Sequence, residues 1–410
     1  MSETLDDFRG RARTWLAENM PLRSDRGDTA TVSVGKWERV RELQAKLHQG
    51  GFAGLCYPRE YGGQGLGFEY QAAFNDEASP YEMPVPVNFP TLTICGPTLL
   101  EVASEDIKRD LLPRMISGEL LFCQFLSEPN GGSNLAGVLT RADRRGNGWV
   151  LSGSKIWSSG ADAADYAMCL ARTNWDVPKH RGLTMFVFPI HQEGVDVQPI
   201  EMVNGVKEFC QEFIDEVFVP DSAVVGEVDD GWSVVNRLLH QERLAVSGAS
   251  PFMSGKNYSD DGPGPGEPQA TLPELAGALG IADQDWVRDI IGSVETSHVV
   301  HRALVKYLHS EVVAGRLPEV GMTLGRLYHA EAFEAEFDAG LNLAGSIGVS
   351  RDAQDEVGHW SRNYLSRQSA SLGGGSTEMA RNIIAERLLG MPREPAPDKD
   401  LPFREVRQSR

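Results

Sequence analysis

Three polar segments of this sequence contain residue types that could take part in chemistry. The segment LSEPNGGSNLAG, at Leu126–Gly137, carries two serine hydroxyls and a Gly131–Gly132 pair, which lets the backbone approach a flat ligand closely. Further along, SGSKIWSSGADAADY places the Trp157 indole beside hydroxyls, a combination that suits an aromatic ring system. The third is the Glu242–Arg243 pair, on a helix whose other face is apolar. Each segment is a candidate part of a ligand site.

Each segment also has an ordinary structural interpretation. LSEPNGGSNLAG could be a polar turn between strands, and Trp157 could lie in a β-domain core, as most Trp side chains are largely buried. A single acidic and basic residue next to each other on a helix, such as Glu242 and Arg243, usually form a solvated ion pair. Taken one at a time, the segments favour these ordinary interpretations.

Hydrophobic periodicity predicts an α+β chain with a helical N-terminal domain, a β-barrel-like middle domain and a C-terminal helical bundle. Helical spacing dominates the first part, with Ser104 as an expected N-cap. Short period-2 runs separated by Gly, Pro and Asn then predict a small barrel or sandwich. Residues 252–270, rich in Gly and Pro, predict an exposed loop. The predicted boundaries are 1–119 for the N-terminal domain, 120–228 for the β-domain, 229–395 for the bundle and 396–410 for an extended tail.

Composition excludes several classes of protein. A formal net charge of −19 argues against nucleic acid as a partner, because phosphate neutralisation needs clustered Lys and Arg. No apolar run is long enough to span a bilayer, and the acidic N-terminus lacks the basic start of a secretory signal. The five cysteines are widely spaced and form no CxxC pair. We therefore expect a cytoplasmic protein with free thiols and no metal site.

The common nucleotide and hydrolase motifs are absent from the sequence. It contains no GxGxxG after a strand, no P-loop, no GxSxG and no HExxH. The GGGS stretch at Gly373–Ser376 lacks the Lys that a triphosphate loop requires. A nicotinamide Rossmann site is therefore disfavoured.

Five segments, in order along the chain, resemble the acyl-CoA dehydrogenase family. YPREYGGQG resembles its early Pro/Gly turn, LSEPNGGSNLAG its TEPGAGSD signature, and GSKIWSSGADAADYAMCLART its GxKxWxTxG strand with the strand after it. FIDEVFVP with GEVDDGW resembles the end of the middle domain, and GGGSTEMARNIIAERLLGMPRE the C-terminal helix. One such match is weak, but five collinear matches are specific. The resemblance implies the same three domains that periodicity predicts.

The resemblance also implies FAD as cofactor and gives roles to matching positions. Ser127 falls where the family hydrogen-bonds the flavin pyrimidine edge, and Ser133 where it binds the flavin phosphate near the thioester. Trp157 falls on the Trp packed on the flavin, and Ser159 on the Thr near N5. The implied cofactor-binding residues are Gln124, Leu126, Ser127, Gly132, Ser133, Trp157, Ser159, Asn342, Gly345, Ser376 and Glu378.

The implied reaction is α,β-dehydrogenation of an acyl-CoA, in which a Glu takes the α-proton while the β-hydride passes to the flavin. Many members carry this base in a Tyr-Glu-Gly-Thr segment, where this chain has Gly374. A subset places the Glu on the first helix of the C-terminal domain, directly before an Arg, and Glu242–Arg243 fits that position. We predict Glu242 as base with Arg243 beside it, and Glu378 is the alternative.

The groups that usually grip the adenine half of FAD are altered. ALGIADQDWVRDIIG contains no Arg-x-x-Phe-Gly, and Asn342 stands where the family has a Gln. Either this chain holds the adenine end differently or a related subunit supplies those groups, as in some bacterial members that act on steroid side chains. We therefore expect a homo-oligomer (dimer or tetramer) or a heterotetramer with a related subunit. The expected partners are an acyl-CoA, with a bulky or steroid-derived acyl group as one option, and an electron-transferring flavoprotein.

Two alternative functions stay open at this point. One is a family member that acts on an acyl carrier protein thioester or a nitroalkane. The other is a non-catalytic subunit that completes the flavin site of another chain. An enzyme should be yellow when purified alone, whereas a partner subunit should gain flavin only with a co-expressed homologue.

Overall fold

The computed structural model describes residues 3–22, 34–85, 88–246, 250–255, 271–350 and 355–406. They belong to two compact units, which are treated separately below. The first unit draws on 1–202, 206–259 and 396–410, and the second on 203–205 and 260–395. Most of the predicted 252–270 loop, from 256 onwards, lies outside the described residues. No helix in the described ranges is long and apolar enough to cross a membrane.

The N-terminal part of the first unit is helical, as predicted. One helix begins after Ser104, whose Oγ accepts a hydrogen bond from the Ile107 N–H at 3.4 Å, which confirms the predicted N-cap. Another ends before Gly50–Gly51, where Gly51 has the left-handed φ of +73° that suits a helix C-terminus. The helices are α1 Leu5–Asn19, α2 Val34–Gln49, α3 Phe68–Ala78, a π-helix at Asn88–Cys95, α4 Gly96–Val102 and α5 Glu105–Ser117.

The middle of the first unit is one eight-stranded sheet. Its strands are β1 Phe122–Phe125, β2 Arg141–Arg145, β3 Gly148–Ser159, β4 Tyr166–Arg172, β5 Leu183–Pro189, β6 Val195–Ile200, β7 Phe209–Pro220 and β8 Val224–Val225. They follow the order β6-β7-β3-β2-β4-β5-β8, and β1 pairs in parallel with β4.

The sheet is open, so the predicted barrel-like closure is wrong. Among the described residues, β6 pairs with β7 alone and β8 with β5 alone. A barrel requires the two outer strands to share a hydrogen-bonded ladder. Strand β8 spans only two residues, which is too short to continue such a ladder.

Strand alternation places two cores on opposite faces of this sheet. On β4, Met168 and Leu170 join the apolar core that the N-terminal helices share. Their neighbours Cys169 and Ala171 belong to a second core on the other face. This division follows from the period of two in side-chain direction along a strand.

Two further pieces complete the first unit. Helix α6 (Gly231–Val246) follows the sheet, and its buried apolar residues Val234, Val235, Leu238 and Ala245 belong to the core of the N-terminal helices. The tail, predicted as extended, contains a short 3₁₀ turn at Phe403–Glu405. The Phe403 N–H donates to the Val177 carbonyl at 2.9 Å, so this turn packs on the loop that follows β4.

The second unit is helical, as predicted for the C-terminal part. Its helices are α7 Leu272–Ala278, α8 Asp285–Val313, α9 Thr323–Gly348, α10 Asp355–Ser366 and α11 Thr377–Ile383, which continues as a π-helix at Ile384–Leu388. Phe337 and Trp360 lie at its core, with ring centroids 5.4 Å apart. A Cβ at Gly340 would lie 2.0 Å from the Trp360 ring, so only glycine allows this packing.

Candidate active site

The predicted flavin segment leaves β1 and folds back on itself. Glu128 and Gly131 exchange two backbone hydrogen bonds, of 3.1 and 2.9 Å. A Cβ added to Gly132 would lie 3.7 Å from Ser127 Oγ, so the turn returns to the start of the segment. Ser127 is half-buried, while Gly132 and Ser133 are exposed. The turn therefore presents hydroxyls and bare backbone outward.

A buried ion pair attaches this segment to β3. The Lys155 side chain is 0% exposed, and its Nζ lies 2.9 Å from Glu128 Oε1 and donates to the Leu126 carbonyl at 3.1 Å. The carboxylate of Glu128 also accepts the N–H groups of Leu139, at 2.6 Å, and Thr140, at 2.8 Å. Burial opposes ionisation, yet Lys155 and these donors hold the pKa of Glu128 below its ordinary value. One ion pair thus fixes both ends of the segment.

Trp157 stands on a bulge in β3. The pairing of β3 with β7 shifts register between Ile156 and Ser158, and Trp157 takes a left-handed φ of +68°. Its side chain is 55% exposed, so the interpretation as a core Trp is wrong. The Ile156 N–H donates to the Ser127 carbonyl at 3.0 Å, which joins the bulge to the flavin segment. Buried Ser158 comes next in the chain, followed by half-buried Ser159.

A buried arginine holds the far end of the flavin segment. The Arg172 guanidinium donates to the carbonyls of Ala136, at 2.7 Å, Val138, at 3.2 Å, and Lys179, at 3.2 Å. Its central carbon lies 3.5 Å from the ring centroid of Phe403, which covers it. Burial lowers the pKa of Arg172 to about 10, so the side chain keeps its charge at neutral pH. The tail therefore takes part in anchoring this segment.

Glu242 faces the sheet from helix α6. The Gln124 Nε2 donates to Glu242 Oε2 at 3.3 Å, although the two residues are far apart in sequence. Glu242 is half-buried and Arg243 exposed, which argues against a purely solvated pair. Burial, and then the charge of Glu242, raise the pKa of the buried Cys95 thiol on the π-helix. The candidate base therefore lies beside the strand that leads into the flavin segment.

Four predicted site residues belong to the second unit. Asn342 and Gly345 lie on α9, where Gly345, with φ of +57°, interrupts the helical backbone. Ser376 caps α11, its Oγ accepting the Met379 N–H at 3.3 Å. Glu378 is exposed, and its own backbone N–H and the Ser376 hydroxyl lower its pKa. The other nine predicted residues belong to the first unit.

The stretch Gly373–Gly375 occupies the place where many family members carry the base. Gly374 has a φ of +69° and Gly375 a φ of +96°. Side chains with a Cβ are strained in this left-handed region. A glutamate at position 374 would therefore be unfavourable on this backbone.

Sequence patterns gave no role to Glu128, Lys155 or Arg172, which hold the flavin segment in place. A signal was present for Lys155, because a charged residue within a largely apolar strand must find a buried partner. The partner itself could not be chosen from the sequence. Arg172 ends an apolar strand, and nothing in its pattern indicates that it binds carbonyls.

The surface between Ser127 and Trp157 fits the flavin that the resemblance implies. Three hydroxyls, those of Ser127, Ser133 and Ser159, offer donors and acceptors without charge. Beside them the indole of Trp157 is held outward by a strained backbone conformation, a feature common at functional sites. Neutral polar groups beside an open aromatic face match a ring system with one polar edge.

Comparisons with known families cover most of the chain. Residues 2–119 match the model of the acyl-CoA dehydrogenase N-terminal domain, residues 123–217 that of the middle domain and residues 276–389 that of the C-terminal domain. The chain is 31% identical over 408 residues to the acyl-CoA dehydrogenase IpdE1 of Mycolicibacterium smegmatis, covering 95% of this chain and 98% of that protein.

Solved structures show the same fold. The steroid acyl-CoA dehydrogenase Tcur3481-Tcur3483 matches with a TM-score of 0.75 and 28% identity, over 96% of this chain and 100% of that one. The ChsE4-ChsE5 complex from Mycobacterium tuberculosis matches with a TM-score of 0.70 and 25% identity, over 96% and 99%. The resemblance stated from the sequence is confirmed: this chain belongs to the acyl-CoA dehydrogenase family, and is an oxidoreductase of that kind.

Proposed function

We propose that this protein is an FAD-dependent α,β-dehydrogenase of acyl-CoA thioesters in which Glu242 takes the α-proton. The observation that carries the proposal is the 3.3 Å contact between Gln124 and Glu242, which places the candidate base beside strand β1, directly before the flavin segment. Glu378 is less suited to be the base, because it is exposed and its pKa is lowered. A base for carbon acids gains from partial burial, which raises its basicity.

The cofactor and the residues of the site have different roles in the proposed reaction. Bound FAD supplies the acceptor for the β-hydride, chemistry that side chains cannot perform. Ser127, Ser133 and Ser159 would hold the cofactor, and Trp157 would cover it. Glu242 holds the proton taken from the α-carbon, and Gln124 orients its carboxylate. We propose an electron-transferring flavoprotein as the electron acceptor.

A basic loop beside the flavin segment supports an anionic substrate. Lys179 Nζ donates to Asn134 Oδ1 at 3.0 Å, and exposed Arg181 follows in the same loop. His180 packs edge-to-face on Trp232, with centroids 4.8 Å apart. Because the protein has a net charge of −19, an anionic substrate requires a local positive charge such as that of Lys179 and Arg181. We assign it to the phosphates of coenzyme A.

Replacing Lys179 by Ala should raise KM for the acyl-CoA about tenfold with kcat unchanged, because a contact to a charged group contributes about 1.5 kcal/mol. Steady-state kinetics at low and high salt measure this, and the difference should shrink with salt. Lys108→Ala, on helix α5, is the control. An unchanged KM would remove Lys179 from the substrate site.

A bulky acyl group, steroid-derived among the options, is the proposed substrate class. The support is the likeness to a protein described as a steroid acyl-CoA dehydrogenase, together with glycine at positions 373 to 375. Small residues at the usual base position leave space for a large acyl chain.

The flavin of the purified protein should bleach anaerobically with its substrate. Short, branched, long and steroid-derived acyl-CoAs are compared by loss of the flavin absorbance. Bleaching by one class identifies the acyl group. A yellow protein that no acyl-CoA bleaches would contradict the proposed function.

A second candidate is a subunit that forms its flavin site only with a related chain. Asn342 in place of Gln, and the likeness to the ChsE4-ChsE5 complex, favour it. A colourless protein that becomes yellow on co-expression with a homologue would establish this assembly. The hydroxyls and Trp157 of the flavin surface argue that this chain still contributes a flavin-binding surface of its own.

A further inference from the structure

A second buried carboxyl lies behind the flavin surface. Glu212 is on β7, on the same inward face as Cys210 and Ile214, and it is 0% exposed. On the adjacent strand β3, Lys155 is its partner in the antiparallel register. Alternating strands place apolar side chains at such positions, so a carboxyl here requires an explanation.

The hydrogen bonds of Glu212 lead to the Trp157 bulge. Its Oε2 accepts the hydroxyl of Ser158 at 2.9 Å. Its Oε1 is buried and makes no hydrogen bond within the described residues. Lys155 does not donate a hydrogen bond to Glu212 Oε1, because its Nζ binds Glu128 and the Leu126 carbonyl. A buried carboxyl with one unpaired oxygen is favoured in the neutral form.

Ser158 is the one residue of the bulge that points inward. It is buried, whereas Trp157 before it is mostly exposed and Ser159 after it is half-buried. An inward anchor at Ser158 forces its neighbours to the other side of the strand. The left-handed conformation of Trp157 is strained, and the Ser158 anchor keeps the backbone from relaxing out of it.

We propose that Glu212 is a positioning residue which, through Ser158, holds the Trp157–Ser159 bulge in the shape that receives the flavin. This inference rests on the proposed function for the identity of the ligand. The shape of the bulge itself does not depend on the ligand, so it can be tested without one.

The test compares Glu212→Val, Glu212→Gln and Ile214→Ala. The first removes the acceptor for Ser158, the second keeps one, and the third damages the same core face of β7 without touching the bulge. Flavin dissociation constants are measured by fluorescence of released flavin, on the chain alone or on its complex with a related subunit. We expect at least tenfold weaker binding for Glu212→Val and less than threefold change for the other two variants.

A second readout uses the flavin-free protein. Fluorotryptophan labelling and ¹⁹F NMR report on the Trp157 indole, whose resonance is assigned by Trp157→Phe. That resonance should shift in Glu212→Val and stay in place in Glu212→Gln and Ile214→Ala. The proposal is overturned if the resonance does not move in Glu212→Val, or if flavin affinity falls in proportion to stability in all three variants. If the protein binds no flavin, the proposed function is contradicted. The ¹⁹F resonance of Trp157 still tests the positioning role of Glu212, because that measurement needs no flavin.

The pH dependence of stability gives an independent check. Burial raises the pKa of Glu212 to about 7. Because the folded-state pKa is raised, its stabilising effect is complete below the ordinary value of 4.5 and is lost as pH rises through about 7. Wild type should therefore lose stability relative to Glu212→Gln across this window. The titratable groups that interact with Glu212 are Lys155 and the thiols of Cys123, Cys169 and Cys210. Two further carboxyls lie beside these thiols, Glu128 near Cys169 and Asp162 near Cys210.

Titration of the facing groups should not obscure this window. Burial raises the pKa values of Cys169 and Cys210 to about 12, and Glu128 has a lowered pKa. Burial raises the pKa of Asp162, which is present in both proteins and cancels in the comparison. Equal pH profiles for wild type and Glu212→Gln would show that Glu212 does not titrate there, and would contradict the neutral carboxyl assigned to this position.

Discussion

Replacing Glu242 by Gln should lower turnover of the preferred acyl-CoA by about 10²-fold or more while the flavin stays bound. The amide keeps the size of the carboxylate and an oxygen that can accept the hydrogen bond from Gln124. It removes only the ability to take the α-proton. Turnover and flavin absorbance are measured on the same sample.

Two companion variants make this result specific. Glu101 is a nearby control, because its carboxylate accepts a hydrogen bond at 2.6 Å from the side-chain amide of Gln241, the residue before Glu242. The variant Glu101→Gln should keep near-normal turnover. Glu378→Gln tests the alternative base. Exchange of the substrate α-proton with deuterated solvent should disappear in Glu242→Gln alone. Near-normal turnover of Glu242→Gln with bound flavin would reject Glu242 as the base.

Replacing Lys155 by Met should lower the free energy of unfolding by about 3–5 kcal/mol, because it leaves the buried Glu128 carboxylate without its ammonium partner. The flavin should be lost as well, since Lys155 also holds the Leu126 carbonyl at the start of the flavin segment. Urea unfolding gives the first quantity, and flavin released on dilution gives the second.

The double variant Lys155→Met with Glu128→Gln separates the charge from the packing. It should be more stable than Lys155→Met alone, because the unpaired charge is gone. Since the pKa of Glu128 lies below its ordinary value of 4.5, the pair stabilises the protein above that pH and loses its effect as pH falls further. A loss of less than about 1 kcal/mol in Lys155→Met would mean that water replaces the ammonium.

Local chemistry predicts much of this fold. The Ser104 cap and the return of helical spacing at α6 follow from side-chain patterns within one or two turns. The open sheet does not, because its edges depend on the length of β8 and on which strands meet. Strand partners are set by contacts between residues far apart in the chain, which periodicity does not encode.

Some features of the candidate site can likewise be predicted from the sequence, and others cannot. Trp157 and Ser127 were found by resemblance, whereas the sequence alone favoured a buried indole. What turns the indole outward is a bulge held by Ser158 and Glu212, two residues on different strands. Such a pairing becomes visible only when the strands are placed side by side. The contact between Gln124 and Glu242 is likewise long-range, and no local pattern predicts it.

The aromatic cover over Arg172 has a consequence for how the chain is made. A ribosome adds Phe403 roughly 230 positions after Arg172, which at 5–20 residues per second takes about tens of seconds. During that interval the guanidinium can already hold the carbonyls of Ala136 and Val138, but water reaches it where the ring will later pack. The packing around Arg172 in the β-domain can therefore be completed only after the tail has been synthesised.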